Sequence, residues 1–268
     1  MNIVYLVFGN NIEHYQQVFF SIYTALHYKE REDKIIIITE NPLFFNHFKD
    51  NIICIPINRN TINQWEGEHK FFWRVKIKAL ELIAKSYPNE HILYLDGDTF
   101  FYNSTSLLKD KLNQGHNFMH IMEGKLSELP TKTEKLMWKQ MKNKTYAGIF
   151  IDNNTCMWNA GTIGISTKHF DSISLTLKLN DELCADNVTR KLIEQLSFSI
   201  GTNHYSKLIP ADDIIGHYWG NKNQWNDIIS NWLKTSFMYN LNMSQMKEEL
   251  LRIPFSEIPI YTKQSNTH

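Results

Sequence analysis

The chain has 268 residues, of which 43% are hydrophobic and 21% are charged, as is typical of a globular protein with a sizeable core. Lysine and arginine together number 28, as do the acidic residues, and a net charge of zero does not favour a nucleic-acid partner. The three cysteines are far apart, and no stretch approaches the roughly 20 apolar residues that cross a bilayer, so we expect a cytoplasmic protein.

Alternating strand and helix patterns run through the first hundred residues. Apolar and β-branched runs predict strands at 3–8, 35–39, 52–57 and 92–95, and helical periodicity predicts helices at 15–28 and 69–86. This alternation predicts an α/β fold, in which a mostly parallel, Rossmann-like sheet is flanked by helices.

The pattern is looser after residue 102. It predicts helices at 107–112, 168–181 and 185–199, strands at 118–122 and 157–165, and a polar helical insertion or flap at 123–146. A loop rich in aromatic residues follows residue 212, and a helical tail ends the chain. Because we find no linker and no internal repeat, we predict a single domain over 1–268.

Two carboxylates, Asp96 and Asp98, close the apolar strand predicted at 92–95. Residues i and i+2 of a strand point to the same side, and Gly97 between them lets a ligand approach the backbone. Carboxylates that converge at the carboxyl end of a sheet strand suit a hard divalent cation, which in turn holds a diphosphate. A polar turn that only closes the strand is the alternative, because Asp and Gly are ordinary turn residues.

A basic ridge lies on the helix predicted at 69–86, directly before the Asp pair. Lys70, Arg74 and Lys78 recur at intervals of four residues and so share one face of that helix. Such a ridge predicts contact with a phosphate or a sugar hydroxyl beside the metal. The alternative is a solvated charged face.

A second group of chemically active residues follows near residue 220. His217 supplies an imidazole that suits a metal already held by two carboxylates, and such a mixed shell fits manganese as well as magnesium. Lys222 places an ammonium within reach of a diphosphate, and Gly220 lets the backbone pass close to a ligand. A histidine with a purely structural role is the alternative.

These motifs resemble those of nucleotide-sugar glycosyltransferases with the GT-A fold, and most of all glycosyltransferase family 8, the glycogenin and galactosyltransferase group. Asp96-Gly97-Asp98 matches the Asp-x-Asp motif. The segment from His217 to Trp225 keeps the His, Gly, Lys and Trp of a His-x-x-Gly-x-x-Lys-Pro-Trp motif, although the Gly-to-Lys spacing is shorter and the Pro is missing.

Two weaker matches follow the order of the same family. Asn159 and Gly161 lie in Trp-Asn-Ala-Gly, which is similar to a Phe-Asn-Ser-Gly strand, and Glu194-Gln195 is a loose counterpart of an Asp-Gln dipeptide. The resemblance covers about residues 1 to 226. It implies a nucleotide-binding half at 1–102, an acceptor and metal half at 103–226 with a smaller acceptor-side subregion, and a helical tail at 227–268.

The resemblance also implies a set of site residues. Asp96, Asp98 and His217 would ligate Mn²⁺ or Mg²⁺. The implied donor-binding residues are Asn10, Tyr15, Arg74, Lys78, Gly97, Asn159, Gly161, Gly220 and Lys222. Stabilisation of an oxocarbenium-like centre would fall to Glu194, Gln195 or Asp152, each of which is equally compatible with an ordinary surface or capping role.

The implied reaction transfers a sugar, with retention of configuration, from a nucleoside-diphosphate sugar to a hydroxyl of a glycan or glycolipid. A glycolipid acceptor would bring the protein to the inner face of the membrane as a peripheral protein. Two alternatives stay open. One is a phosphohydrolase of the haloacid-dehalogenase type, which also places Asp-x-Asp after an apolar strand. The other is a module that binds nucleotide sugars without turnover.

Overall fold

One central sheet of seven strands organises the computed structural model, which describes residues 1–261. The strands are β1 Asn2–Val7, β2 Lys34–Thr39, β3 Ile53–Pro56, β4 Ile92–Leu95, β5 Thr99–Phe101, β6 Phe118–Met119, β7 Met122–Lys125, β8 Thr145–Tyr146, β9 Ile149–Phe150, β10 Cys156–Trp158, β11 Thr162–Ile165, β12 Ile209–Pro210 and β13 Ile215–His217. The order in the central sheet is β12-β6-β11-β4-β1-β2-β3. Only β11 runs antiparallel to its neighbours, so the predicted mostly parallel α/β sheet is confirmed.

Helices cover both faces of this sheet. The α-helices are α1 Ile12–Tyr28, α2 Arg59–Trp65, α3 Arg74–Ser86, α4 Ser106–Gln114, α5 Lys132–Met141, α6 Asp171–Ala185, α7 Ile193–Tyr205, α8 Lys222–Met238 and α9 Met243–Leu251. Single 3₁₀ turns occur at Thr167–His169, Arg190–Leu192 and Phe255–Glu257, and a longer one at Pro42–Phe48. The last residues of the predicted tail, 262–268, lie outside the described residues.

The central strands are buried on both faces, which explains their continuous apolar sequences. In β4, Leu93 and Leu95 join the core under α1, α8 and α9, while Ile92 and Tyr94 join the core under α3 and α7. Alternate residues of a strand point to opposite faces, so every position of β4 needs an apolar side chain. The polar residues that follow β4 therefore stand at the edge of an otherwise apolar sheet.

Two predicted strands are each divided in the structure. The predicted strand 157–165 is β10 and β11, because the chain leaves the β7–β10 pair and enters the central sheet at Asn159–Gly161. The predicted strand 118–122 is likewise divided into β6 and β7. Both divisions occur where the chain passes from one sheet to the other, and both bring polar side chains to one edge.

Three predicted helices begin later than expected. The helix predicted at 69–86 begins at Arg74, because Lys70 has a left-handed φ of 46° and the chain before Arg74 forms turns. The helices predicted at 168–181 and 185–199 are α6 and α7. The late start leaves Lys70 outside α3, so Lys70 does not share a helix face with Arg74 and Lys78.

Candidate metal centre and cleft

Asp96 and Asp98 follow β4 at the carboxyl edge of the parallel strands. The Asp96 backbone N–H donates to the carbonyl of Gly161 at 2.9 Å, which ties this turn to the start of β11. The Asp96 side chain is partly exposed, whereas Asp98 is 5% exposed. Gly97 lies against α1, where a Cβ would come 3.0 Å from Val18, so a side chain at this position would crowd that helix.

Strand pairing brings His217 to the Asp pair from 119 residues further along the chain. β13 pairs antiparallel with β5 in a register that sets His217 opposite Thr99. The Tyr218 N–H then donates to the Asp98 carbonyl at 3.0 Å. His217 Nε2 lies 3.3 Å from Asp98 Oδ1, and the imidazole is 6% exposed.

The hydrogen bonds around Asn159 fix the protonated nitrogen of His217. The amide oxygen of Asn159 accepts from the Gly161 N–H at 3.0 Å, and its Nδ2 donates to the carboxylate of Glu123 at 3.1 Å. His217 Nδ1 lies 2.9 Å from that same amide oxygen and must therefore donate to it. In its neutral form the imidazole therefore directs the lone pair of Nε2 towards Asp98.

Asp96, Asp98 and His217, which we call the metal triad, have a geometry that suits a cation. One ligand atom from each residue lies within 4.8 Å of the other two. When the imidazole is neutral, Nε2 of His217 and Oδ1 of Asp98 are both acceptors, so their approach to 3.3 Å favours a positive charge between them. Oxygen ligands with one imidazole fit Mn²⁺ and Mg²⁺, and an imidazole oriented by a hydrogen bond through its other nitrogen is usual at metal sites.

Lys222 begins α8 beside the metal triad. Its Nζ lies 2.8 Å from Asp98 Oδ2, an ion pair without hydrogen-bond alignment, and its side chain is 48% exposed. Burial would raise the pKa of Asp98, but a protonated His217 and the ammonium of Lys222 outweigh it and hold that pKa well below its usual range. Asp98 is therefore ionised at neutral pH and available as a ligand.

Lys76, which the sequence analysis did not single out, is the buried cation of this site. Its Nζ lies 3.1 Å from Asp96 Oδ1 and 2.9 Å from Glu194 Oε1, and 5.1 Å from the centre of the Tyr94 ring. Burial opposes its charge, but Asp96 and Glu194 raise the pKa of Lys76 above its usual value. The pKa of Glu194 is raised by burial against the opposing effect of Lys76.

The predicted ridge of α3 faces away from the Asp pair. Arg74 donates from Nε and Nη2 to the carboxylate of Asp181 at 2.7 and 2.9 Å, and Lys78 pairs with Glu81. Lys76 lies two residues from each of them and so points to the opposite side of the helix, about 200° around its axis. The structure brings neither Arg74 nor Lys78 to the cleft lining.

Glu123 links two of the predicted residues across the cleft. One carboxylate oxygen accepts from Asn159 Nδ2, and the other accepts from Gln195 Nε2 at 2.9 Å. Burial raises the pKa of Glu123, an effect that the hydrogen bonds from Asn159 and Gln195 partly offset. No sequence motif pointed to Glu123, because its partners are 36 and 72 residues away along the chain.

Two of the predicted glycines are close-packed. A Cβ at Gly161 would lie 2.2 Å from the imidazole of His217, so only glycine allows the ring to occupy its position. A Cβ at Gly220 would lie 2.2 Å from the Tyr261 ring, with which the loop forms an isolated β-bridge. Both glycines thus support the loop that carries His217 and Lys222.

The remaining predicted residues lie outside the cleft lining. Asn10 is exposed in the turn after β1, and Tyr15 is buried, with its hydroxyl donating to the carbonyl of Gly9 at 2.8 Å. Asp152 is exposed in the turn before β10, where its carboxylate accepts from the Asn154 N–H at 2.8 Å. The structure does not bring Asp152 to the metal triad or to Gln195.

The metal triad stands in a cleft of about 620 Å³, whose lining also includes Glu123, Gln195 and Lys222. This volume falls in the range of small-molecule and cofactor sites. Three half-exposed aromatic side chains stand in the cleft wall: Phe72, Trp73 and Trp219. The lining also includes Thr131, Thr133 and Glu134, at the start of α5.

No protein-family model and no curated protein sequence matches the chain. Solved structures match it in fold. An active-site mutant of LgtC superimposes with a TM-score of 0.52 at 16% identity, over 79% of this chain and 72% of LgtC. Mouse xyloside xylosyltransferase 1 superimposes with a TM-score of 0.51 at 11% identity, over 79% of this chain and 85% of that protein. The protein has the GT-A fold.

A third GT-A match is the bifunctional glycosyltransferase WbbM. It superimposes with a TM-score of 0.50 at 11% identity, over 79% of this chain and 38% of WbbM. In this chain, the metal triad lies at the carboxyl end of β4, near the middle of the sheet.

None of the helices within residues 1–261 has the length and apolar character needed to cross a membrane.

Proposed function

We propose that the protein is a metal-dependent glycosyltransferase. It transfers a sugar from a nucleoside-diphosphate sugar, most simply a UDP-sugar, to a hydroxyl of a glycan or glycolipid, with retention of configuration. The observation that carries the proposal is the metal triad with Lys222 beside it, in the lining of a cleft of about 620 Å³ in a GT-A fold. Retention and the choice of UDP rest on the resemblance to glycosyltransferase family 8.

The diphosphate end of the donor is the part that the charged residues fit. A divalent cation held by Asp96, Asp98 and His217 would supply positive charge to the departing diphosphate. Lys222 adds an ammonium whose side chain is half-exposed, so it can leave Asp98 and pair with a phosphate oxygen. Both charges act where negative charge grows as the glycosidic bond breaks. Electrostatic stabilisation of this kind is the largest single contribution to catalysis in many enzymes.

The sugar end of the donor would meet the polar residues on the other side of the metal triad. Asn159 and Gln195 line the cleft there, and Lys76 bridges Asp96 to Glu194 behind it. We assign stabilisation of the positively charged anomeric carbon to the amide oxygen of Gln195. Glu194 is buried and paired with Lys76, so its effect on the sugar passes through that lysine.

The acceptor would enter between the aromatic wall and the start of α5. Trp73 and Trp219 are 49% and 51% exposed in the cleft wall, and exposed aromatic rings present an apolar face on which a sugar can stack. Thr133 also lines the cleft and offers a hydroxyl group, whereas the hydroxyl of Thr131 is held by Glu134. This placement supports an acceptor with sugar hydroxyls, a glycan or the headgroup of a glycolipid.

Incubation of the purified protein with Mn²⁺ or Mg²⁺ and a panel of UDP- and GDP-sugars tests the proposal. We expect metal-dependent release of the nucleoside diphosphate from at least one donor, slow with water and faster with an acceptor glycan. Absence of both release and binding for every donor would overturn the proposal. Donor binding without transfer would indicate a binding module, and cleavage of p-nitrophenyl phosphate would indicate a phosphohydrolase.

A further inference from the structure

A continuous line of hydrogen bonds, which we call the relay, connects the metal triad to Gln195. It runs from His217 Nδ1 to Asn159 Oδ1 at 2.9 Å, from Asn159 Nδ2 to Glu123 at 3.1 Å, and from Gln195 Nε2 to Glu123 at 2.9 Å. The only carboxylate in it is Glu123, which accepts from an amide at each of its two oxygens. The relay therefore joins residues that the proposed function assigns to the two ends of the donor.

The amide of Asn159 has one allowed orientation. Its oxygen accepts from the Gly161 N–H, a backbone donor that cannot change its role, as well as from His217. Its nitrogen must then be the atom that faces Glu123. A rotation of this amide by 180° would turn its NH₂ group towards these two N–H donors. The hydrogen bond between Asn159 and Glu123 therefore always has Asn159 as its donor.

The side-chain amide of Gln195 is held by a hydrogen bond at its nitrogen only. Nε2 donates to Glu123, so Oε1 is the atom that is turned away from Glu123, on a residue that lines the cleft. Oε1 has no hydrogen-bond partner among residues 1–261. Glu123 is thus the only group within this part of the chain that decides which end of the Gln195 amide is held and which is left free.

We propose that Glu123 is a positioning residue that holds the Gln195 amide with its oxygen towards the donor sugar. The proposal rests on the proposed function, because the oxygen is needed there to face the positive charge at the anomeric carbon. It assigns no direct contact between Glu123 and the reacting atoms. It does explain why a half-buried carboxylate without an ion-pair partner among the described residues stands in the cleft wall.

Substitution of Glu123 by glutamine has a defined consequence for the relay. A glutamine at 123 has one acceptor end and one donor end, so it satisfies Asn159 or Gln195 in the original direction, but not both. Because Asn159 is fixed, Gln195 rotates and presents its NH₂ group to the cleft. An NH₂ group is the wrong polarity for a developing positive charge, and the fold is otherwise unchanged.

Kinetic comparison of E123Q with wild type tests the positioning role. We expect kcat to fall at least about tenfold, while the donor KM and the affinity for Mn²⁺ with UDP stay within about twofold. E128Q is the matched control, because Glu128 is exposed, makes only a 3.9 Å ion pair with Lys125, and lies outside the relay. The double variant E123Q/Q195A should be no slower than Q195A alone, because Glu123 acts only through Gln195.

A fall in kcat for E123Q that adds in full to that of Q195A would overturn the proposal, as would an unchanged kcat. A second measurement does not depend on turnover. The side-chain amide of Gln195, assigned in ¹H–¹⁵N spectra by its absence in Q195A, should exchange with water faster in E123Q than in wild type. The same exchange rate in both proteins would overturn the positioning role, even if no donor for the enzyme were found.

Discussion

His217 Nε2 lies 3.3 Å from Asp98 Oδ1, and the two atoms face each other as acceptors whenever the imidazole is neutral. Asn159 imposes this arrangement because it takes the Nδ1 proton of the ring. A cation between Nε2 and Oδ1 removes the repulsion of the two lone pairs. Binding of Mn²⁺ should therefore stabilise the folded protein, since it fills a position that the fold has prepared.

Asp98→Asn should abolish this stabilisation. We expect Mn²⁺ at about 100 times its Kd to add about 2.7 kcal/mol to the unfolding free energy of wild type, and to add close to nothing for D98N. Thermal unfolding with and without the cation provides the measurement. Asp213→Asn is the control, because Asp213 is exposed and outside the metal triad. An equal Mn²⁺ effect in D98N would remove Asp98 from the site.

Lys76→Met should lower the stability of the protein by about 3 kcal/mol, because it leaves two partly or fully buried carboxylates without their cation. Adding Glu194→Gln to this variant removes one of the orphaned charges and should recover part of the loss. Urea unfolding measures both effects. The control is Lys85→Met on the same helix. Lys85 is exposed and its partner Glu81 keeps a second ion pair with Lys78, so we expect a loss below about 1 kcal/mol.

The Asp pair and the His217 loop could be predicted from sequence because each is a local pattern. Asp96 and Asp98 stand out against an apolar strand, and His217, Gly220 and Lys222 follow one another within six residues. Their meeting in space depends on the β5–β13 pairing, which no local pattern reveals. The family resemblance supplied that link, and the structure brings the three ligand atoms together.

Lys76 could not be predicted, because the lysine of α3 that faces the cleft is decided by how the helix is rotated about its axis. Spacing alone placed Lys70, Arg74 and Lys78 on one face, but Lys70 precedes α3, and Arg74 and Lys78 meet Asp181 and Glu81 rather than the cleft. Side chains two residues apart on a helix point in nearly opposite directions. Rotation is decided by packing against the sheet, which a single sequence does not record.

Glu123 could not be predicted from the sequence for a different reason. Its segment looked like a polar flap, whereas residues 122–125 form a short strand that pairs with β10 and faces the cleft. The residue acts through hydrogen bonds to Asn159 and Gln195, both far away in sequence. A lone acidic residue in a polar segment carries no pattern, so only the fold could single it out.

Gly161→Ala should weaken metal binding more than it weakens the fold. A methyl group there would meet the His217 ring at 2.2 Å and would displace the imidazole from Asp98. We expect Mn²⁺ affinity to fall at least about tenfold, as is typical when the support of a metal ligand is removed. Isothermal titration with Mn²⁺ measures the affinity directly.

Gly164→Ala is the matched control for this change. It places the same methyl group three residues further on, within β11, 2.1 Å from the ring of Phe118 and away from the metal triad. Both variants should lose stability from overpacking, by about 1–3 kcal/mol. Only the variant at 161 should lose affinity for Mn²⁺, and equal losses of affinity would mean that the effect is general destabilisation.

Because His120 is buried, we expect the unfolding free energy of the protein to fall on acidification. His120 donates from Nε2 to the carbonyl of Ile215 at 3.0 Å, its Nδ1 is buried without a partner, and burial lowers the pKa of His120 to about 4. The unfolded chain takes up this proton near pH 6.5, earlier than the folded protein does. Stability should therefore be fully present above pH 6.5 and fall between about 6.5 and 4, by as much as about 3 kcal/mol.

His120→Gln tests this assignment, because the Gln amide nitrogen can still donate to Ile215 but does not titrate. Urea unfolding measured in EDTA between pH 4 and 7 should show a shallower decline for H120Q than for wild type. His204→Gln, at an exposed position, should decline as steeply as wild type does. If H120Q and wild type declined in parallel, the acid sensitivity would have to come from other groups and His120 would not be the neutral residue behind His217.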